Sequence, residues 1–257
     1  MKRIALFLTL ALLLPISCNK NAPATQNPAS QDSPADQQDE EGQQEENPQE
    51  EASGPIVIDG QFEDWSTLDG AVVAKNDPDS FWPAVKELRV YAYQDYVYYY
   101  IRFDREYMQE YLDGNDILPA RINLNTDGEF TSGYDKYFLR AYDFMIELSL
   151  GNGAGGWGTA DDSILHQRIN DDWTVLSGPN SGLTFGAGAG MEFEMYLDRT
   201  VFNAAAAKSP VPMPMGDTFQ TSMRFYETVS DPNWAELSNI PNTDTGYGDL
   251  LDITFVE

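Results

Sequence analysis

Alternation of hydrophobic and polar side chains dominates residues 55–257. Four segments follow it most clearly, at 97–103, 144–150, 191–197 and 219–225. A period of two places every second side chain on the same face of an extended strand. Each segment is therefore predicted to be a strand with one buried face and one solvent face, which is typical of antiparallel sheets.

Weaker versions of the same pattern predict further strands, and only one segment predicts a helix. That segment is 198–208, where Asp198 has the side chain of an N-cap ahead of an alanine run. The pattern predicts an all-β fold, an antiparallel β-sandwich (jelly-roll-like) with one short helical segment. The additional predicted strands are 56–59, 71–75, 87–93, 120–126, 163–170, 172–177 and 249–256.

The N-terminus has the pattern of an export signal. Basic residues at Lys2 and Arg3 precede an apolar stretch at 4–14, which is too short to span a bilayer. Ser17 and Cys18 follow it, and Cys18 is the only cysteine of the chain. This arrangement resembles a bacterial lipoprotein signal, with 1–17 as the signal peptide.

The lipoprotein resemblance implies an address as well as a modification. Cys18 would become the N-terminal residue and carry acyl chains, palmitate among them, which anchor the protein in a membrane. Asn19, where an Asp would retain a lipoprotein in the inner membrane, implies the outer membrane. Display on the cell surface and a periplasmic orientation both stay open. The alternative is an ordinary secretory signal in which Cys18 is incidental.

Residues 18–55 are predicted to be a disordered acidic tether that carries the lipidated cysteine. The segment is built from Gln, Glu, Asp, Pro, Ser and Ala and contains no aromatic residue. It cannot bury enough apolar area to offset the entropy of ordering. A single folded domain is therefore expected over 56–257.

Charge and composition exclude several classes of protein. The chain has 15 Lys and Arg against 42 Asp and Glu, a net charge of -27, which would repel nucleic-acid phosphates. One cysteine excludes intramolecular disulfides and multi-cysteine zinc sites, and one histidine excludes multi-histidine metal centres.

The opening of the domain resembles a known family. The stretch from Ile56 to Trp65, IVIDGQFEDW, looks like the start of family 9 carbohydrate-binding modules and their DOMON-like relatives. Three later stretches, 86–101, 123–133 and 194–202, are similar to other parts of that family and occur in the same order. The resemblance implies a β-sandwich that binds carbohydrate.

Tryptophans are the candidate ligand contacts, because stacking on a sugar requires a flat aromatic face. Trp65 is expected in the core. Trp157 is the first choice, since glycines on both sides leave its ring little local packing. The row of Tyr96, Tyr98 and Tyr100 could be a binding strip, although cross-strand packing is the commoner reason for such rows. The other candidates are Trp234, the second choice, Trp173 and Trp82.

The acidic loop 125–135 is a candidate calcium site. Calcium prefers six to eight oxygen ligands, and this loop offers several, although its spacing is not that of an EF-hand. Related modules carry structural calcium, which the resemblance therefore implies. The alternative is a set of solvated turn carboxylates. The candidate ligands are Asn125, Asp127, Glu129 and Asp135.

The expected function is that of an outer-membrane lipoprotein that binds poly- or oligosaccharide without cleaving it. One alternative is a structural or adhesive envelope lipoprotein that binds a protein partner. Another is a glycoside hydrolase, but with so many acidic residues a close carboxylate pair is expected by chance. A DOMON-like haem or redox role would need ligands among Met191, Met195, Met223 and His166, and the methionines are expected in the core.

Overall fold

Two antiparallel sheets pack with their apolar faces together in a computed structural model of the chain. The five-stranded sheet has the order β1-β2-β3-β9-β8, and the seven-stranded sheet has the order β11-β10-β4-β5-β6-β7 with β12 also paired to β10. The predicted all-β sandwich is confirmed. The structure describes residues 54–76, 84–113, 118–129, 132–134, 141–151, 157–158, 162–226, 236–242 and 249–257.

The described strands and helices have the following bounds. The strands are β1 (Val72–Lys75), β2 (Val85–Tyr93), β3 (Tyr96–Phe103), β4 (Pro119–Asn125), β5 (Phe144–Ser149), β6 (Ile164–Ile169), β7 (Asp172–Ser177), β8 (Thr184–Ala189), β9 (Glu192–Asp198), β10 (Thr218–Tyr226), β11 (Glu236–Ile240) and β12 (Leu251–Thr254). The helices are α1 (Glu63–Thr67), α2 (Arg105–Asp113) and α3 (Arg199–Ala206).

The core lies between the sheets and is formed by the apolar half of each alternating strand. Tyr99 faces inward with the aliphatic residues, and its hydroxyl lies 3.1 Å from Thr221 Oγ1 of the opposite sheet. That bond satisfies a buried polar group at the centre of the sandwich. The inward residues of the four clearest strands include Val97, Ile101, Phe144, Ile146, Phe193, Met195, Leu197, Phe219, Met223 and Phe225.

The opening segment covers the outer face of the five-stranded sheet. Ile56 and Trp65 form a second apolar cluster with Tyr91, Tyr98 and Tyr100, and all five side chains are buried. The prediction that the tyrosine row faces solvent is therefore wrong for Tyr98 and Tyr100. The row is explained by packing against the opening segment that covers it, and not by ligand binding at an open sheet face.

The opening motif is held to the sheet by one buried carboxylate. Glu194 Oε1 accepts the backbone N–H groups of Asp59 and Gly60 at 3.0 and 2.8 Å. Its Oε2 accepts the indole N–H of Trp65 at 2.9 Å. Gly60 has φ +78°, a conformation that glycine adopts without strain. The motif residues thus act together as a strap that ends in a core tryptophan.

The sequence patterns missed four elements and predicted one strand that the structure does not have at that place. The segment 56–59 is not a strand, and α1, α2, β8 and β11 were not predicted. β8 lacks alternation because its glycines lie under aromatic rings: a Cβ on Gly186 would meet the Phe193 ring at 2.5 Å. The predicted helix is confirmed as α3, and Asp198 Oδ1 accepts the N–H groups of Thr200 and Val201 at 2.7 and 2.9 Å.

All described residues belong to one compact unit, Pro48–Glu257. Among them, no helix is both long and apolar enough to cross a membrane. The signal peptide, Cys18 and nearly all of the tether lie outside the described residues, so these predictions stay predictions.

Candidate functional site

A row of polar side chains crosses the outer face of the seven-stranded sheet. Strand register places Arg121 of β4 opposite Glu147 of β5, and Asn123 of β4 opposite Ser222 of β10. His166 of β6 lies opposite Met145 of β5, so the row continues to the next strand. The alternation that buries the inner residues of these strands sends these side chains outward.

Hydrogen bonds fix the centre of the row. Arg121 Nη2 lies 2.6 Å from Glu147 Oε1, and His166 Nε2 lies 3.1 Å from Glu147 Oε2. Arg121 Nη1 also donates to the Tyr226 hydroxyl at 3.0 Å. The hydrogen bond with His166 and the charge of Arg121 hold the pKa of Glu147 below its usual range despite its burial. Glu147 is therefore an ionised acceptor flanked by two donors.

The part of this face on β4, β10 and β11 is polar and buried. Asn123, Ser222, Arg224, Tyr226 and Asn239 are all buried, although β10 was predicted to expose its polar side. That prediction is wrong for Ser222, Arg224 and Tyr226, because alternation does not show whether a face is covered. Asn123 Nδ2 lies 3.2 Å from Ser222 Oγ, and Asn239 Oδ1 has no hydrogen-bond partner within the described residues.

A group of aromatic side chains, which includes Trp173 of β7, lies near the β6 and β7 end of the polar row. The Trp173 ring stacks on Tyr142 with centroids 5.8 Å apart and lies 5.9 Å from the Tyr134 ring. The Arg168 guanidinium lies 5.5 Å from the Trp173 centroid and 5.4 Å from that of Tyr134. Such cation–π contacts hold an aromatic ring in a fixed orientation.

Trp173 and Tyr134 are the partly accessible members of this group. Both side chains are half-buried, whereas Tyr142 is buried. Trp173 is paired in register with Arg168, and β7 is the edge strand of the sheet. An open aromatic ring thus stands beside a fixed row of charged and amide groups. This combination suits a sugar, whose ring has apolar faces and a polar rim.

Sequence analysis named Trp173 but missed its polar neighbours. His166 was considered only as a thin candidate for redox chemistry, and Arg121, Glu147 and Arg168 were not candidates. A signal for them exists in the sequence, since all lie on the polar side of alternating strands. Their convergence depends on strand order, which the sequence does not state.

Trp157 is packed more tightly than its glycine-rich surroundings suggest. Its ring stacks on Phe103 with centroids 4.9 Å apart at 9°, and its indole N–H donates to the Gly190 carbonyl at 2.8 Å. A Cβ on Gly188 would meet Trp157 Cβ at 2.5 Å, so the side chain lies directly on β8. The expectation of an unpacked ring is wrong, because its partners come from β3 and β8, distant in sequence.

Two other tryptophan candidates, Trp82 and Trp234, lie outside the described residues. Ligand contact by these two residues and by Trp157 stays a prediction.

In its described part, the candidate calcium loop is a turn in which side-chain oxygens accept backbone N–H groups of the same turn. Asn125 Oδ1 accepts the Gly128 N–H at 2.8 Å, and Asp127 Oδ1 accepts the Glu129 N–H at 2.8 Å. Asp127 and Glu129 are exposed, Asn125 is buried, and Asp135 lies outside the described residues. Within the described ranges no group of three or more His, Cys, Asp or Glu side chains is placed to hold a metal ion. Calcium binding stays a prediction.

A buried carboxyl adjoins this turn. Asp143 Oδ2 accepts the Thr126 N–H at 3.1 Å. Burial, together with the nearby charge of Asp127, raises the pKa of Asp143 to about 6. The turn and the start of β5 are therefore coupled through a carboxyl that titrates above its usual range.

Comparison with known proteins adds no assignment. No protein-family model matches the chain, and no curated protein matches it significantly. The resemblance to family 9 carbohydrate-binding modules therefore stays a prediction, and the site must be interpreted from its own chemistry.

Proposed function

We propose that the domain binds oligo- or polysaccharide, without cleaving it, on the outer face of the seven-stranded sheet. The observation that carries the proposal is the half-buried Trp173 ring beside the fixed polar row. Trp173 stacks on one face of a sugar ring, and Arg168 holds the indole in place. Arg121, Glu147 and His166 then bind hydroxyl groups.

The chemistry of the row supports a sugar over a purely apolar or purely charged ligand. Arg121 offers N–H groups, Glu147 offers carboxylate oxygens, and His166 offers the ring nitrogen that does not bond to Glu147, so each hydroxyl can donate or accept. Because these groups already bond to one another, they lose little freedom when a ligand binds. A site of this kind binds an extended chain more tightly than one sugar unit, since each further unit adds contacts.

Two carboxyls of perturbed pKa, Asp143 just before β5 and Glu147 on β5, are spaced as in a binding face. The pKa of Asp143 is raised to about 6 and that of Glu147 is lowered, as in an acid and base pair. They are four positions apart, which in an extended chain places their Cα atoms roughly 13 Å apart. This spacing favours binding over hydrolysis, because glycoside hydrolases hold their two carboxyls within about 10 Å of each other.

The N-terminal pattern supports an envelope location for this binding. A lipidated Cys18 would anchor the protein in the outer membrane, and the acidic tether would hold the domain away from the membrane surface. A glycan-binding domain held in this way retains polysaccharide at the envelope.

A glycan array tests the proposal. The wild-type protein is compared with Trp173→Ala and with Val73→Ala, a control on β1 of the five-stranded sheet whose side chain is 46% exposed. A sugar that covers roughly 50–100 Å² of the indole gains about 1–2 kcal/mol, so Trp173→Ala should weaken binding about tenfold. Val73→Ala should leave it unchanged.

Two results would contradict the proposal. One is equal glycan binding by the wild-type protein and a folded Trp173→Ala variant, with melting curves that confirm the fold. The other is release of new reducing ends from a bound glycan, which would make the domain a hydrolase. Parallel arrays with calcium and with chelator separate the metal question from the ligand question.

A further inference from the structure

Basic side chains are concentrated in one part of an otherwise acidic domain. The stretch from Lys75 to Arg105 contributes five of them, although the whole chain has only 15 Lys and Arg against 42 Asp and Glu. They lie on β1, β2, β3 and the start of α2. The five are Lys75, Lys86, Arg89, Arg102 and Arg105.

One buried carboxylate neutralises only part of this basic group. Glu87 is buried and contacts Arg89 at 2.6 Å and Arg102 at 2.9 Å. Its burial raises its pKa, but hydrogen bonds from Arg102 and Arg89 outweigh that effect and lower the pKa overall. Glu87 therefore fixes the position of Arg102 and leaves Arg105 and Lys86 to other partners.

Three of these basic residues line an open pocket of about 550 Å³. It lies at the end of the five-stranded sheet, between the start of α2 and the turn that joins β8 to β9. Phe103 and Met191 supply apolar surface, and Gly190 lies in the turn. Nothing lies within 4 Å of the position that a Cβ on Gly190 would occupy, so the pocket is open above it.

The two acidic residues of the pocket are already paired. Asp104 Oδ2 lies 2.5 Å from Lys86 Nζ, and its Oδ1 accepts the Glu106 N–H at 2.8 Å. The hydrogen bond from Lys86 holds the pKa of Asp104 below its usual range. Glu192 accepts the Tyr100 hydroxyl. Both carboxylates thus already accept hydrogen bonds from other residues of the protein.

The arginines, in contrast, retain most of their donors. A guanidinium has five N–H groups. Among the described residues, Arg102 uses Nη2 to reach Glu87 at 2.9 Å, and Arg105 uses Nη1 to reach Gln109 at 2.9 Å. Donors that lack a protein acceptor at a pocket wall favour a ligand that brings its own acceptors, and a carboxylate matches the guanidinium fork best.

We propose that this pocket binds the carboxylate of an acidic sugar, with Arg105 and Arg102 as its donors and Met191 against the sugar ring. The site lies apart from the Trp173 face and does not depend on it. The domain then has two binding surfaces, a sheet face for neutral sugar units and an end pocket for acidic ones.

Titration of the full-length protein with single sugars tests the pocket. Galacturonate and glucuronate should shift nuclear magnetic resonance signals of the Gly190 turn, and galactose and glucose should not. Arg105→Gln should weaken uronate binding about tenfold or more, because it removes a charge-assisted contact. Lys208→Gln is the matched control, since it removes the same charge from an exposed residue after α3.

A second pair of variants tests charge without changing an arginine. Gly190 has φ +60°, which Asn and Asp tolerate better than most residues. Gly190→Asp should abolish uronate binding, and the equally large Gly190→Asn should weaken it much less. Added salt should weaken binding as well, because the contacts are exposed to solvent.

Several outcomes would overturn the pocket proposal. Equal shifts with neutral sugars, or no loss of binding in a folded Arg105→Gln variant, would each do so. Tighter binding of an Asp- and Glu-rich peptide copied from residues 39–51 would show that the pocket takes acidic peptide. Trp173→Ala should leave the uronate-induced shifts of the Gly190 turn unchanged, so failure of the sheet-face proposal remains distinguishable from failure of this one.

Discussion

Trp157 and Trp173 are both half-buried, but their surroundings give them different roles. The Trp157 ring lies against Phe103, Gly188 and the Gly190 carbonyl, so it closes one end of the core. The Trp173 ring lies on the outside of the sheet, with Arg168 and two tyrosines beside it. Truncation should therefore affect stability in one case and ligand binding in the other.

Trp157→Ala should destabilise the fold by about 3 kcal/mol, toward the low end of values for large aromatic residues because the ring is half-buried. Denaturant unfolding measures this, with Val175→Ala as the control for a side chain with little packing. A loss below about 1 kcal/mol would contradict the packing described for Trp157 and return it to the ligand candidates.

Glu194 makes stability depend on pH. Burial raises the pKa of Glu194 to about 7, against its usual value of 4.5, although three N–H donors favour the charged form. The folded state therefore holds this proton more tightly than the unfolded chain does. Its contribution to the free energy of unfolding is complete below pH 4.5 and is lost as pH rises to 7.

Glu194→Gln should remove this pH dependence. A shift of about 2.5 pH units corresponds to roughly 3 kcal/mol, so the stability difference between wild-type protein and variant should change by about that amount between pH 4.5 and 8. Chemical unfolding at several pH values measures it. Asp143 titrates in the same direction and is present in both proteins, so it cancels. If the free energies of unfolding of the wild-type protein and Glu194→Gln changed equally with pH, the raised pKa of Glu194 would be contradicted.

At the scale of elements, alternation predicted the inner faces well and the outer faces poorly. Each of the four clearest strands buries its apolar residues as expected, except that Met191 is half-buried in the turn before β9. The outer faces of β3 and β9 are covered by the opening segment, so Tyr98, Tyr100 and Glu194 are buried. The alternation within a strand is the same whether or not another segment covers its outer face. The local sequence therefore does not show which outer faces are buried.

The candidate site was only partly predictable for the same reason. Aromatic chemistry identified Trp173 as a ligand candidate, but its contact with Arg168 requires the register of β6 against β7. The bonds that join Arg121, Glu147 and His166 cross three strands that are neighbours in the sheet. A single sequence shows the strands but does not order them.

The loop that follows β4 has its own prediction, modest stabilisation by calcium. About 100 times the dissociation constant of Ca²⁺ should add roughly 2.7 kcal/mol, if only the folded state binds the ion. Melting curves in excess Ca²⁺ and in EDTA measure the effect. Asp127→Ala should abolish it, and Asp69→Ala, an exposed control, should not. An unchanged melting temperature, or a shift that persists in Asp127→Ala, would contradict the site.

At the scale of the whole molecule, one cysteine is predicted to decide where the domain acts. Cys18→Ala should move the protein from the membrane fraction to the soluble fraction, because its acyl chains provide the anchor. Mass spectrometry of the wild-type protein should find Cys18 as the acylated N-terminal residue. An unmodified Cys18, or a mature N-terminus at another residue, would remove the basis for the envelope location.

The fold presents its two proposed binding surfaces on different sheets. The polar row and Trp173 occupy the outer face of the seven-stranded sheet, and the basic pocket lies at the end of the five-stranded sheet. A polysaccharide with neutral and acidic units could use both, with its acidic units at the arginines of the pocket.

The central claim is that sugars bind at Trp173, and the indole N–H signals of the five tryptophans test it most directly. Trp→Phe variants assign the signals, and the neutral oligosaccharide that binds best on the array is titrated into ¹⁵N-labelled protein. The Trp173 signal should shift and saturate. The signals of Trp65 and Trp157, bonded to Glu194 and the Gly190 carbonyl, should stay in place. A shift at Trp157 without one at Trp173 would contradict the account.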